Sequence, residues 1–253
     1  MQKSVNLVIE SGVVSRHVVT DHLDELLPLA HLSYRVVLHD SAQFELSVAL
    51  TQVQDCTIDI ELDLQGDGAR ADVIVLYGLS GQQNLKINTI QKHYGKQTTS
   101  AVVACGIVTG QAYVAYQGMI SLQPGSKRAD AKQEHTTIVL SKQAKVVSIP
   151  SIEVLHHDVQ CCHGAAIGQF HEQQLWYLQS RGFEKNVAYQ MLVHSFFAEH
   201  MHRFLPDTGS NKNSFTLVVP DSAVSAIAGS EGWKPGSSDN NSSLLESLCQ
   251  KIL

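Results

Sequence analysis

Three histidines, two cysteines and an aspartate fall within HHDVQCCH, residues 156–163. Thiolate and imidazole are soft to borderline ligands, so this density suits a transition metal or a sulfur species. In an extended strand, neighbours alternate between faces. Leu155, His157, Val159, Cys161 and His163 then share one side, and His156, Asp158, Gln160 and Cys162 share the other. Two strand rises, about 7 Å, separate Cys161 from His163, a reach that lets a thiolate and an imidazole approach one iron atom or one sulfur species. The candidate ligands are His163, Cys161 and Cys162, with Asp158 joining only if the strand bends. A same-face pair falls short of the four ligands of a closed structural zinc or iron–sulfur centre. Either a second subunit completes such a site or its occupancy is transient. The same residues also read as a strand end with a packed cysteine and a hydrogen-bonded histidine, and the pattern alone leaves both readings open.

Other chemistries fit less well. Cys162 beside His163 is no thiolate–imidazolium pair, because adjacent side chains of a strand point apart. The chain carries no glycine-lysine phosphate loop, no HExxH and no CxxC. A carbohydrate-acting enzyme needs paired carboxylates, and the acidic residues show no such spacing. The expectation is a protein that is not an enzyme.

The elements that must position the cluster are short and β-rich. YRVVLHD, ADVIVLYG, TSAVVACGIVTG, QAYVAYQGMISL and KVVSIPSIEVL are rich in Val, Ile and Tyr, several with period-two alternation. Turn residues such as Gly66-Asp67-Gly68, Ser80-Gly81, Thr109-Gly110 and Pro124-Gly125 recur about every 14 to 15 residues. A sandwich also uses short strands, but a stacked β-helix explains the regular interval better. The fold expected is mainly β, a right-handed parallel β-helix over residues 35–168, preceded by edge strands and a short helix near 21–32. Cys105 reads as core and His135 as a solvated residue at a strand edge.

After Gly168 the period becomes helical. Leu175, Trp176 and Leu178 form one apolar face that closes at Arg181-Gly182, and Val187, Met191, Leu192 and Phe196 form a second. A small C-terminal α-helical region is therefore expected over 169–205. Residues 206–253 read as a divergent tail with a strand in FTLVVP, a linker and a short terminal helix carrying Cys249, which is best taken as a packing residue.

Composition narrows the class. With 18 Lys+Arg against 24 Asp+Glu and a formal charge of -6, the chain lacks the basic excess that grips nucleic acid. No apolar run reaches a membrane span, and the five scattered cysteines are not a disulfide framework. The start MQKSVNLVIESG has no signal-peptide pattern. A cytoplasmic protein with free thiols is expected.

Read in order, GDGARADVIVLY, TTSAVVACGIVTGQAYVAYQGMISLQPGSKRADAKQEHTTIVLS, PSIEVLHHDVQCCHGAAIGQ and EQQLWYLQSRGF resemble the SufB/SufD family of iron–sulfur cluster assembly scaffolds, SufD more than SufB. The resemblance covers residues 64 to 200. It implies a β-helical body paired head to head with a SufB-like subunit or a second copy, and C-terminal helices that contact a SufC-type ABC ATPase. On the helix from 184 to 203, Val187, Met191 and Phe196 are the expected contacts. The cysteine and histidine of the family's DDVKCSHG pattern correspond to Cys161 and His163, which implies a transient iron or iron–sulfur cluster shared with a partner. Glu153 and Asp158 match the same pattern.

The departures are specific. His157 replaces the pattern's first aspartate, Gln160 its lysine and Cys162 its serine, adding soft donors and removing charge. His171 stands where an aspartate usually opens the helix, a weaker N-cap choice. Residues 1–34 are shorter than the family's usual helical domain. The other reading is a β-helical interaction subunit whose Cys/His pair binds nothing.

Overall fold

The computed structural model describes residues 2–20 and 30–204. Among these residues, twelve strands precede two helices. One six-stranded sheet is ordered β1 (Gln2–Ile9), β3 (His31–Leu38), β5 (Asp55–Leu64), β7 (Asn84–His93), β9 (Tyr113–Leu122), β11 (Lys145–Val154). The other holds β2 (Val14–Thr20), β4 (Gln43–Leu50), β6 (Arg70–Leu79), β8 (Thr99–Val108), β10 (Asp130–Val139) and β12 (Gln160–Gly168). Every pair is parallel and neighbours in a sheet are two elements apart in sequence, so the chain winds as a solenoid of about five turns. Two face-to-face antiparallel sheets are excluded. Side chains stacked on successive coils lie 26 to 32 residues apart, as Arg35 on Glu61 and Ser121 on Glu153 do. The turn interval in the sequence is thus half a coil, one strand and one corner.

At one corner of each coil a residue takes the left-handed conformation: Gly12, Ser41, Gly68, Gln97 and Arg128. Each N–H there donates to a carbonyl of the next coil, from Asp40, Asp67, Lys96, Lys127 and Asp158 in turn. A tight corner thereby keeps its backbone donors paired from coil to coil. Asp40 and Asp67 extend the ladder, their Oδ1 atoms accepting from the N–H of Asp67 and Lys96.

Strands β1 and β2 continue both sheets in register, so the paired body starts ahead of residue 35. The expected short helix near 21–32 falls mostly on residues outside the described ones, while His31 and Leu32 open β3. The tail from 206 lies outside them too.

Inward side chains alternate with outward ones along each strand. Leu32, Val36, Leu46, Ile58, Leu62 and Val75 fill the interior of the early coils. The middle strands of the second sheet, β4, β6 and β8, are buried on both faces along their C-terminal halves, where α2 (Lys185–Phe204) lies on the outside. There Val193 and Phe197 meet Ala49, Ile74, Leu76, Val103, Cys105 and Ile107. Cys105 is core, as read from its apolar strand, with no exposed surface.

Candidate functional site at the open end of the solenoid

Residues 155–159 form the last corner, so of the HHDVQCCH cluster only the end enters a strand. Asp158 anchors that corner through its carbonyl, which accepts from the Arg128 N–H at 2.6 Å, and through its own N–H, which donates to His156 Nδ1 at 3.1 Å. His156 and His157 stack with ring centroids 5.0 Å apart and line one hollow with Lys127 and Asp158.

In β12, Cys161 pairs with Ala131, Cys162 with Lys132 and His163 with Gln133. Ala131 and Gln133 are fully buried and point into the interior of the solenoid. Cys161 and His163 share that inward face and Cys162 lies on the outer one. No further described coil covers them, so His163 is exposed and Cys161 half-buried. Cys161 packs with Ile152 and Val159 on Ile120, Leu122, Ala129 and Ala131. Burial, and secondarily the neighbouring Cys162, pushes its thiol above the ordinary value. Among the described residues no three His, Cys, Asp or Glu side chains converge on one point. A thiol and an imidazole on one face of an open end fit one side of a shared metal or sulfur site.

Beneath this mouth the interior turns polar, which the sequence reading missed. His135 is not a solvated edge residue but fully buried. It stacks on Tyr116 at 4.6 Å, and its Nε2 meets the Tyr77 hydroxyl at 2.7 Å and its Nδ1 the Ser148 hydroxyl at 2.9 Å. Burial holds it neutral, lowering its pKa to about 4. A second file runs from Thr98 through His93 and Ser100 to Gln91 and Gln133. The signal was present in KQEHTT: Gln133, His135 and Thr137 occupy the inward parity that earlier coils fill with aliphatics. It was hidden because outward Lys132 and Glu134 make the whole stretch look solvated.

Among the described residues β11 and β12 each have one unpaired edge, and the two edges differ. The N–H groups of Lys145 and Leu155 donate to Ala112 and Leu122 of the neighbouring coil. Odd-numbered residues of β11 therefore face β9 and even-numbered ones face outward. Pro150, an even position, removes a donor from the middle of that free edge. In β12 the Gln160 N–H donates to Ala129, which turns the backbone of Cys161, His163, Ala165 and Ile167 to the free edge with no proline among them. Ile149, Val154, Leu155 and Ile167 add exposed apolar surface around this end.

The helices place the other expected contacts. α1 (Glu172–Ser180) buries none of its residues, and Trp176 is 70% exposed. The weak N-cap at His171 is helped by Gln174, whose side-chain oxygen accepts the His171 N–H at 3.2 Å. Between α1 and α2 runs a cleft of about 390 Å³ lined by Gln174, Tyr177, Leu178, Met191, Leu192 and Ser195. Met191 and Val187 are exposed at 38% and 40%. Phe196 instead packs against the cluster between α2 and the second sheet. None of the described helices is long and apolar enough to cross a membrane.

A parallel β-solenoid followed by two helices agrees with the fold that the resemblance to the SufB/SufD family implied. Residues 5–196 match the model of that family, described as the SufBD core domain of SUF system FeS cluster assembly, and the chain belongs to it. It is SufD-like. The iron–sulfur cluster assembly protein SufD of Bacillus subtilis is 26% identical over 70% of this chain and 40% of its own length. SufD of Escherichia coli is 31% identical over 37% of this chain and 22% of its own. SufB of Bacillus subtilis is 29% identical over 53% and 29%, respectively. The chain thus spans less than half the length of each of these relatives.

Proposed function

We propose that this chain is a non-catalytic, SufD-like subunit of an iron–sulfur cluster assembly scaffold. In this reading it pairs through its terminal coil with a SufB-like subunit or a second copy of itself. Its helices receive a SufC-type ATPase in the cleft beside Met191. Cys161 and His163 present one side of a site for the nascent cluster or its iron, which is cargo rather than a resident cofactor. The observation that carries the reading is the position of Cys161 and His163 on the inward face of the last described coil, which no other described residues cover. An uncovered end leaves unpaired backbone and apolar side chains that a partner would bury. A partner seated there would also bring the missing ligands to the thiol and imidazole.

The test is anaerobic purification of the chain with its SufB-type and SufC-type partners, followed by iron and acid-labile sulfide analysis. His163→Ala should leave pairing intact and lower both by at least threefold. Equal recovery in that variant overturns the site and leaves a β-helical interaction subunit whose cysteine only packs.

A further inference from the structure

Helix α1 has nine residues and buries none of them. A helix that short is marginal in water unless something packs on it, and α1 leans chiefly on α2. Between the two lies the cleft of about 390 Å³, floored by Tyr177 and Leu178 of α1 and by Met191 and Leu192 of α2. Among the described residues no charged side chain lines it. Its polar rim is partly satisfied, since the Ser195 hydroxyl donates to the Met191 carbonyl at 2.8 Å and Gln174 Oε1 accepts the His171 N–H at 3.2 Å. The cleft therefore offers apolar surface rather than charge.

A segment of the same chain has the matching pattern. In SLLESLCQKIL, residues 243–253, a turn of about 100° per residue puts Leu244, Leu245, Leu248, Cys249 and Ile252 on one half of a helix. Glu246, Ser247, Gln250 and Lys251 fall on the other half. Ser243 and Glu246 stand at the spacing of a capping box, which starts a helix at that point. A helix of this length does not persist alone, so its apolar face needs a partner. An amphipathic helix laid into an apolar groove is a recurring mode of recognition. The segment is also within reach. The described residues end at Phe204, and Met191 lies about 20 Å back along α2. As a random coil residues 205–242 would span on the order of 35 Å. Such a tether gives an effective concentration on the order of millimolar. The hollow at Lys127, His156, His157 and Asp158 is lined by polar side chains and offers no such bed.

We propose that residues 243–253 dock as a helix in the cleft between α1 and α2 of their own chain and compete there with the SufC-type ATPase. The competition rests on the function proposed above; the docking does not. The ATPase then binds only those chains whose cleft is free, and its apparent affinity falls by that fraction.

The experiment compares the full chain with its Leu245→Asp/Leu248→Asp variant, which leaves the solenoid, α1 and α2 unaltered. Both carry ¹³C-methyl methionine, and the Met191 signal is assigned by its loss in Met191→Leu. That signal should shift in the variant, and the variant should bind the SufC-type ATPase at least threefold more tightly. Ser247→Asp, on the polar face, should match the wild type in both measurements; equal effects from it would show that added charge, not the apolar face, is responsible, and would overturn the docking. A Met191 signal identical in the wild type and the double variant overturns the docking as well. A shift that grows with protein concentration gives the cleft to the segment of a second copy and overturns docking within one chain. A shifted signal with unchanged ATPase affinity keeps the docking and overturns the competition. An ATPase that binds neither chain overturns the docking face assigned to it above and leaves the helix in its cleft.

Discussion

The Tyr77 hydroxyl reaches 2.7 Å from His135 and 2.6 Å from Thr137, two coils further along the solenoid, because the coil between them places Gly106 under its ring. A Cβ at Gly106 would lie 2.2 Å from the ring and 2.5 Å from the Tyr77 carbonyl oxygen. Neither the backbone nor a ring held between two coils can yield that far. Gly106→Ala should therefore destabilise the fold by about 2 kcal/mol or more through overpacking. Gly164→Ala, in the uncovered strand with nothing within 4 Å of the added methyl, should change stability by less than about 0.5 kcal/mol. Urea unfolding of the two variants checks the contrast, and equal losses would refute it.

His93 and His135 make stability depend on pH in a defined window. Burial lowers each pKa from 6.5 to about 4. Below pH 6.5 the unfolded chain binds protons that the folded one refuses, so stability is full above that value and falls as the pH drops toward 4. The loss is up to roughly 3 kcal/mol for each histidine. Urea midpoints measured from pH 7.5 to 4.5 should fall steeply below 6.5, and His135→Gln should flatten the slope by about half. A midpoint independent of pH across that range would contradict the buried, neutral state of both rings.

Much of this architecture was legible in the chain. The alternation in ADVIVLYG and the recurring glycine turns announce strands and corners because inward residues must be apolar and corners must bend. The shared face of Cys161 and His163 followed from parity alone. What was hidden depends on non-local stacking. The burial of His135 requires Tyr77 and Ser148 from other coils. The start of the body ahead of residue 35 is set by β1 and β2 bonding to strands 29 residues on. That Gln133 Nε2 is buried with no hydrogen-bond partner among the described residues becomes visible only when its neighbours are placed.

The difference between the two free edges yields a test of pairing. Ala165 turns its N–H outward from β12 and Ala166 turns its own toward β10. Ala165→Pro should keep the β10 ladder, leave Tm within a few degrees and abolish assembly with the partner in light scattering. Ala166→Pro should lower stability by about 3 kcal/mol or more, since it removes a ladder bond. Normal pairing by Ala165→Pro would exclude edge-to-edge addition at β12. Pro150→Ala, which restores a donor to the other edge, should leave pairing no weaker.

Met191 and Phe196 sit on one helix yet should respond differently to the same substitution. Met191 lines the open cleft between α1 and α2, while Phe196 packs toward Val193, Phe197 and the second sheet. Met191→Asp adds charge to solvated surface, so Tm should stay within a few degrees of the wild type. Affinity for a SufC-type ATPase should fall at least tenfold, about 1.4 kcal/mol, in a pull-down titration. Phe196→Asp drives a carboxylate into an apolar contact and should destabilise by about 3 kcal/mol or more. Its loss of ATPase binding would then follow its loss of fold. If Met191→Asp binds as tightly as the wild type, the cleft is not the docking surface, and the exposed face of α1 around Trp176 becomes the place to look.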